Sequence, residues 1–200
     1  MKATSLSYGY ITNTVFSSRT YWLADKENSI AWLVDCGDVE RVLEQLPQHI
    51  RVVGVLLTHI HFDHIYGLNS LIDIMPTCRV YTNSIGKTAL VDPRHNFSRY
   101  HVDVDDFIFK HIDNVVVVDE DSKVELFDSV FAGVYYTPGH DDTCLCYSVE
   151  DMLFTGDALI PGIKTVTTFP HSDKKKAYES EKRIKQILDG KTICPGHTIE

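Results

Sequence analysis

The chain has 200 residues, 44% of them hydrophobic, with 19 basic against 28 acidic side chains and a formal charge of −9. That length supports one substantial core and leaves little room for a second, so a single domain over residues 1–200 is expected. The charge opposes bulk affinity for nucleic acid or an anionic membrane surface, and no apolar run approaches the roughly 20 residues that span a bilayer.

At the N-terminus, Met1 to Tyr10 carries no apolar stretch of a secretory leader, which makes the cytoplasm the expected location. Residues 5–35 are rich in Thr, Tyr, Val and Trp, with turn residues at Ser17-Ser18 and from Asp25 to Ser29, a pattern of antiparallel strands joined by hairpins. The last of these strands, Ile30 to Val34, ends in Asp35-Cys36-Gly37. Asp38 is expected to cap a short helix through Leu46, and the β-branched stretch Arg51 to Leu57 reads as a buried strand. It runs into Thr58-His59-Ile60-His61-Phe62-Asp63-His64. Helical spacing from Ile65 to Met75 stops at Pro76, and Arg79 to Thr82 forms a short strand.

Residues 84–113 are the least regular stretch and predict a helix plus long covering loops. Short β-rich runs return from Val115 to Phe154, broken by Thr137-Pro138-Gly139-His140, and the last one ends in Thr155-Gly156-Asp157. Ser172 or Asp173 opens a charged helix to about Leu188, and Lys191 to Cys194 is a strand leading into Pro195-Gly196-His197. The order of elements predicts an α/β domain with mostly antiparallel pairing. Five scattered cysteines fit reduced thiols, with Cys144 and Cys146 on one strand face as small buried hydrophobes.

Half of the ten histidines, His59, His61, His64, His140 and His197, stand at strand-to-loop junctions. In an extended segment residues i and i+2 face the same side, so His59 and His61 can grip one metal. A turn into the next helix carries Asp63 and His64 past them toward a second, and Asp63 is also placed to cap that helix. Chance produces this tetrad on the order of 0.2% of the time at these residue frequencies. Gly139-His140, Gly156-Asp157 and Gly196-His197 each place a donor beside a glycine just after a β-like run, where glycine permits close approach or positive φ. The resulting set, His59, His61, Asp63, His64, His140, Asp157 and His197, is too large for one tetrahedral ion and suits two. Its N and O donors favour zinc, with iron or manganese as competitors.

These four segments together resemble the metallo-β-lactamase superfamily, nearest to its small hydroxyacylglutathione hydrolase (glyoxalase II)-like members. Asp35-Cys36-Gly37 is similar to that family's Asp-x-Gly turn, and Asp92-Pro93 with Asn96 and Ser98 to its middle segment. The resemblance implies a four-layer αββα sandwich with the site between the upper edges of two sheets. It implies that His59, His61 and His140 hold the first metal, that Asp63, His64 and His197 hold the second, and that Asp157 bridges. A β-lactamase is disfavoured, since those enzymes generally have cysteine at the position of Asp157 and no histidine matching His64. The sequence ends three residues after His197, where full-length glyoxalase II continues into a helical glutathione-binding region, and Asp141-Asp142-Thr143-Cys144 departs from the family's Thr and Gly-Ser pattern. Both departures weigh against glutathione thioester specificity.

The expected function is hydrolysis of an ester, thioester or lactone of a small-molecule acyl substrate. The nucleophile is a hydroxide bridging two Zn2+, with Asp63 orienting it as the catalytic residue. A mononuclear iron oxidoreductase of the persulfide dioxygenase kind is the first alternative, and a phosphodiesterase the second. Lys164 and Arg94 are candidate substrate contacts, with His95 and Arg99 beside Arg94. Lys174-Lys175-Lys176 reads as a solvated helix face, and His49, His101, His111 and His171 carry no motif. Two bound dications would move the formal charge from −9 to about −5, which softens the exclusion of small anions at the site itself.

Overall fold

In β2 (Arg19–Asp25) and β3 (Ile30–Val34) apolar side chains occupy both faces, so each strand has to be covered on two sides. Leu23, Trp32 and Val34 turn one way, Ala24, Ala31 and Leu33 the other, and none of the six is more than 5% exposed. The same alternation runs through β9 (Leu145–Val149) and β10 (Met152–Gly156). There Leu145, Tyr147, Met152 and Phe154 face one cluster and Cys146 and Leu153 another. The molecule is seen in a computed structural model that describes residues 6–198, so the first five residues of the leader-free reading of Met1 to Tyr10 lie outside the described residues.

Two sheets result. The first has the order β1 (Leu6–Thr12), β2, β3, β4 (Arg51–Leu56), β5 (Arg79–Thr82), β6 (Val115–Val117). The second has the order β11 (Thr192–Pro195), β10, β9, β8 (Val130–Tyr136), β7 (Lys123–Phe127). Tyr21, Leu23, Trp32 and Leu56 of the first meet Val134, Leu145, Tyr147 and Phe154 of the second. Burying a large apolar side chain there contributes roughly 1.5–3 kcal/mol, and two polar tips that enter the layer are satisfied across it. The Trp32 indole donates to the Leu126 carbonyl at 2.8 Å and the Tyr147 hydroxyl to the Leu57 carbonyl at 3.0 Å.

On the outer face of the first sheet lie α1 (Val39–Gln45), α2 (Phe62–Ile65) and α3 (Leu68–Ile74), whose Val42, Ile65, Leu68 and Leu71 pack on Leu33 and Val55. The short α4 (Ser84–Ala89) follows β5, and α5 (Lys174–Ile187) covers the second sheet through Ile184 against Cys146 and Leu153. Helix, sheet, sheet, helix is the expected four-layer order. All five cysteines are free and buried.

Pairing is mixed, with five antiparallel steps and four parallel ones. The steps β3–β4, β4–β5, β5–β6 and β10–β11 are parallel. A parallel step needs a long crossover, and α1, the α2–α3 pair, the segment with α4, and α5 supply one each. The helix expected from Ile65 to Met75 is divided between α2 and α3, because the Asp35-Cys36-Gly37 turn docks on the break. Cys36 N–H donates to the His64 carbonyl at 2.7 Å and Gly67 N–H to the Cys36 carbonyl at 2.9 Å. Asp38 stands at the N-cap of α1 without capping it; its carboxylate is engaged by Thr14, Arg41 and Tyr66. Asp63 is not the cap of α2 either: His61 takes that position and Asp63 lies in the first turn. Asp173 does cap α5, accepting from the backbone N–H groups of Lys175 and Lys176.

Candidate metal centre

Every segment that carries a candidate ligand emerges at the end of a strand. After β4 the chain stays extended, so Ile60 turns into the core at 0% exposure while His59 and His61 face the other way. At Phe62 it winds into α2 and brings Asp63 and His64 round to the same side. His140 comes from the β8–β9 connection, Asp157 directly follows β10, and His197 follows β11. Gly156, at φ +49, makes the turn that delivers Asp157. A side chain at Gly196 would put its Cβ 2.2 Å from Asp157 Oδ1 and 2.9 Å from the His64 ring, so glycine there leaves the space the donors occupy.

All seven sequence-selected donors converge. His59, His61 and His140 form one group, His59, His64 and Asp157 a second, and Asp63, His64 and His197 a third. His61 Nδ1 and His140 Nε2 are 3.0 Å apart, and His64 Nε2 and His197 Nε2 3.2 Å. Asp63 Oδ2 is 3.4 Å from His64 Nε2 and 3.3 Å from His197 Nε2. Asp157 stands between the groups: Oδ2 is 3.7 Å from His140 Nε2 and 3.3 Å from His197 Nε2, and Oδ1 is 3.6 Å from His64 Nε2. Metal–nitrogen bonds of roughly 2.0–2.1 Å set donors roughly 3.3 Å apart around a tetrahedral ion. The separations here match that edge.

The far nitrogen of each ring is held from outside. His64 Nδ1 lies 2.9 Å from Asp35 Oδ2, His140 Nδ1 3.1 Å from the Val166 carbonyl, His197 Nδ1 3.1 Å from the Phe16 carbonyl and His59 Nδ1 3.1 Å from Thr58 Oγ1. With the N–H on those atoms, all four Nε2 lone pairs face the cluster, the arrangement that outer partners impose on metal-binding imidazoles. His61 is reversed. Its Nε2 lies 3.4 Å from Asp141 Oδ2, and its Nδ1 faces inward. His59 Nε2 and Asp157 Oδ1 are buried with no hydrogen-bond partner, an expensive condition that a cation relieves. The donor set therefore fits divalent metal.

Electrostatics divide the cluster. Burial and four neighbouring rings hold His59 well below the ordinary histidine range, and burial with His61 nearby pushes His140 down to about 4. Burial opposes charge on His64 as well, but Asp63, Asp35 and Asp157 outweigh it and raise its pKa to about 9. Against the same penalty Asp157 and Asp63 raise His197 to about 10. Burial likewise disfavours the carboxylate of Asp157, yet His64, His197 and His140 hold it well below the usual range.

A cleft of about 530 Å3 opens above the donors, with Asp63, His61, His140, Asp157 and His197 in its floor. Lys164 and Arg94 are exposed and do not line it. His101, unassigned in the sequence, does line it, as do the rings of Phe16, Phe62, Phe97, Tyr100 and Phe169. Sequence reasoning also missed Asp141, which is fully buried between His61 and His95. Its position directly after His140 was the available signal. Beyond it His95 stacks on His171 with ring centroids 3.7 Å apart, and His95 Nε2 meets Asp142 Oδ1 at 3.1 Å.

A family profile described as the Metallo-beta-lactamase superfamily matches residues 13–197. Among curated proteins, the chain is 32% identical over 151 residues to a hydroxyacylglutathione hydrolase of Pseudoalteromonas translucida, covering 74% of this chain and 49% of that protein. It thus spans about half the length of that relative. Among solved structures, BLEG-1, a B3 metallo-beta-lactamase, superposes with a TM-score of 0.81 at 22% identity, covering 96% of this chain and 92% of that one. ETHE1 from Myxococcus xanthus gives 0.73 at 23% identity, covering 97% and 76%. At those identities the two structures speak to the fold alone. No helix among the described residues is long and apolar enough to cross a membrane.

Proposed function

The chain belongs to the metallo-beta-lactamase superfamily, and on that premise we propose that it is a binuclear metal hydrolase, with zinc as the preferred ion, that cleaves an ester, thioester or lactone. The observation that carries this reading is Asp157, a buried carboxylate with one oxygen unpartnered, set between two groups of imidazoles at 3.3–3.7 Å. His59, His61 and His140 would hold one ion and Asp63, His64 and His197 the other, with Asp157 shared. When bound, such ions supply hydroxide at neutral pH and polarise a carbonyl oxygen.

The chain's own residues do the rest. Asp63 lies in the cleft floor with its carboxyl held below the usual range, so it stays an acceptor and can orient an attacking water by taking a hydrogen bond from it. Asp35, joined to His64 Nδ1 and to the Thr58 N–H and hydroxyl, fixes that ring and the strand end beside it. The Val166 carbonyl, through His140 Nδ1, ties the cleft wall to the ligand set.

The mononuclear iron oxidoreductase is the second reading, since the same N and O donors also suit iron. Against it stands the complete second group, Asp63, His64 and His197, assembled within 3.4 Å. Metal analysis of protein purified without added metal, followed by a panel of thioesters, lactones and phosphodiesters, decides. Two ions per chain are expected, with loss of at least 99% of thioesterase activity (about 3 kcal/mol of barrier) on chelation and recovery with zinc. Full activity after exhaustive chelation, or one iron per chain with oxygen consumption on a persulfide, would overturn the proposal.

A further inference from the structure

We infer that the cleft takes an uncharged acyl group carrying an aromatic or similarly bulky apolar substituent. The inference rests on the hydrolase reading of the floor beneath it and specifies what that hydrolase selects.

Two of the cleft's phenylalanines have backbones in the left-handed region, Phe97 at φ 65 and Phe16 at φ 51. Side chains of this bulk rarely adopt it, and each instance is an energetic cost to the fold. Such strain persists only where the surroundings over-determine it, and around Phe97 they do. The buried Asn96 amide donates to the Phe107 carbonyl at 3.0 Å while its oxygen accepts from Ser98 N–H at 3.0 Å. Ser98 Oγ accepts from Phe107 N–H at 2.8 Å, and the Asn96 carbonyl from Phe62 N–H at 2.8 Å.

The effect is to present the Phe97 ring edge-on to His61, with centroids 4.7 Å apart, and against Phe169 at 5.4 Å. At Phe16 the strained residue gives its carbonyl to His197 and its ring to the cleft rim. Both strained loops thus fix aromatic surface beside metal-ligand candidates.

That surface is left open. Phe16 is 59% exposed, Tyr100 62% and Phe169 46%. Apolar area in water is unfavourable, and covering it with an apolar ligand would recover that free energy. The volume, about 530 Å3, is of the size that encloses a small organic molecule and far exceeds what an acetyl group fills. Charge gives the second constraint. Among the described residues lining the cleft none is Lys or Arg. A substrate carboxylate reaching past the floor would be partly desolvated between aromatic rings with no Lys or Arg to pair with it. This sets the chain apart from any recognition of glutathione through its carboxylates.

The test uses the metal-loaded enzyme and thioesters of one uncharged thiol, N-acetylcysteamine. kcat/KM for the 3-phenylpropanoyl ester should exceed that for the acetyl ester by about tenfold or more, the scale on which apolar pockets discriminate. The succinyl ester should fall below acetyl. Phe97→Ala, and separately Phe169→Ala at a half-exposed site that tolerates truncation, should each lower the phenylpropanoyl-to-acetyl ratio tenfold or more, chiefly through KM. Equal constants for the two esters, or preference for the succinyl ester or for S-lactoylglutathione, would overturn the inference while leaving the hydrolase reading intact. If no acyl compound is cleaved, the hydrolase reading falls by itself. Saturation-transfer NMR with methyl 3-phenylpropanoate against methyl acetate then reads the cleft directly. Transfer to the phenyl ring that Phe169→Ala removes supports the inference, and its absence overturns it.

Discussion

His59 and His140, on one side of Asp157, and His64 and His197, on the other, are the same side chain in opposite settings. The first two are buried among other rings, and their outer nitrogens meet a hydroxyl and a carbonyl; burial and the neighbouring rings disfavour a proton there, outweighing at His140 the pull of Asp157 and the Val166 carbonyl. The second two sit among Asp63, Asp157 and, for His64, Asp35, which hold protons on them in the absence of metal. A metal ligand must offer a lone pair. One half of the site is therefore ready for an ion as folded, whereas the other half exchanges protons for it, with its carboxylates already supplying the countercharge. The lesson is that two halves of one donor cluster need not take metal alike.

The strongest attempt to break this contrast removes a ligand from each side. His61→Ala opens the buried group, 5% exposed, and should cost an ion together with at least ~10³-fold in kcat/KM, the several kcal/mol that a metal contributes. His197→Ala acts at the rim, where the side chain is 19% exposed and water can replace a ligand, so a loss nearer ~10²-fold is expected. Metal content and steady-state kinetics of the two variants measure both quantities. Equal losses would mean that the two halves act as one.

Proton dependence is the next effect in size. Metal entering at His64 and His197 displaces protons whose pKa values stand at about 9 and about 10, so affinity there should rise up to tenfold per pH unit for each proton released between pH 6 and 8. His59 and His140 are neutral throughout that window and add no such slope. Zinc titrations at pH 6, 7 and 8 should resolve one steep and one shallow site. The metal-free protein carries the opposite sign on its two sides. Raised values on His64 and His197 contribute stability that is full below the unfolded value of about 6.5 and is lost as pH rises through about 9 and 10. The lowered value on His140 contributes above about 6.5 and is lost as pH falls through about 4. Calorimetry after chelation should find the highest Tm near neutrality, with a decline on both sides; a monotonic profile would contradict the division.

How much of this was legible beforehand follows from which contacts are local. The tetrad from His59 to His64 could be read because two extended residues and one helical turn fix its geometry within six positions. His140, Asp157 and His197 were readable for a related reason: each follows an apolar run and a glycine, and strand ends gather along one edge. The helix boundary at Asp173 was equally local. Parallel pairing was not, because β3 reads alike whether its neighbour β4 runs with it or against it, and only the crossover through α1 decides. Asp141 looked like a departure from a pattern, since its meaning depends on His61, 80 residues earlier, and on His95. The aromatic wall escaped for the same reason. Phe16, Phe97 and Phe169 lie in three separate loops and share nothing in sequence beyond being phenylalanine.

The outer carboxylates offer the finest test of the comparison, because Asp35 and Asp141 perform the same task on opposite halves with different quality. Asp35 Oδ2 meets His64 Nδ1 at 2.9 Å and is anchored by the Thr58 N–H and hydroxyl at 2.8 Å each. Asp141 Oδ2 stays 3.4 Å from His61 Nε2 and 3.7 Å from His95, though Thr143 pins the other oxygen at 2.6 and 2.8 Å. A carboxylate at hydrogen-bond distance fixes tautomer and ring together, and its loss typically weakens metal binding about 10- to 100-fold. Asp35→Asn should therefore weaken the proton-coupled site by that factor and the other by less, since it reaches His59 only through the Thr58 hydroxyl. Asp141→Asn should weaken only the site built on His61, and by less than tenfold, since the contact it replaces is already long. Chelator competition on both variants, read site by site through the pH signature above, gives the two numbers. If Asp141→Asn proves the costlier change, His61 depends on its outer partner more than the distances indicate, and the buried half is not the self-sufficient one.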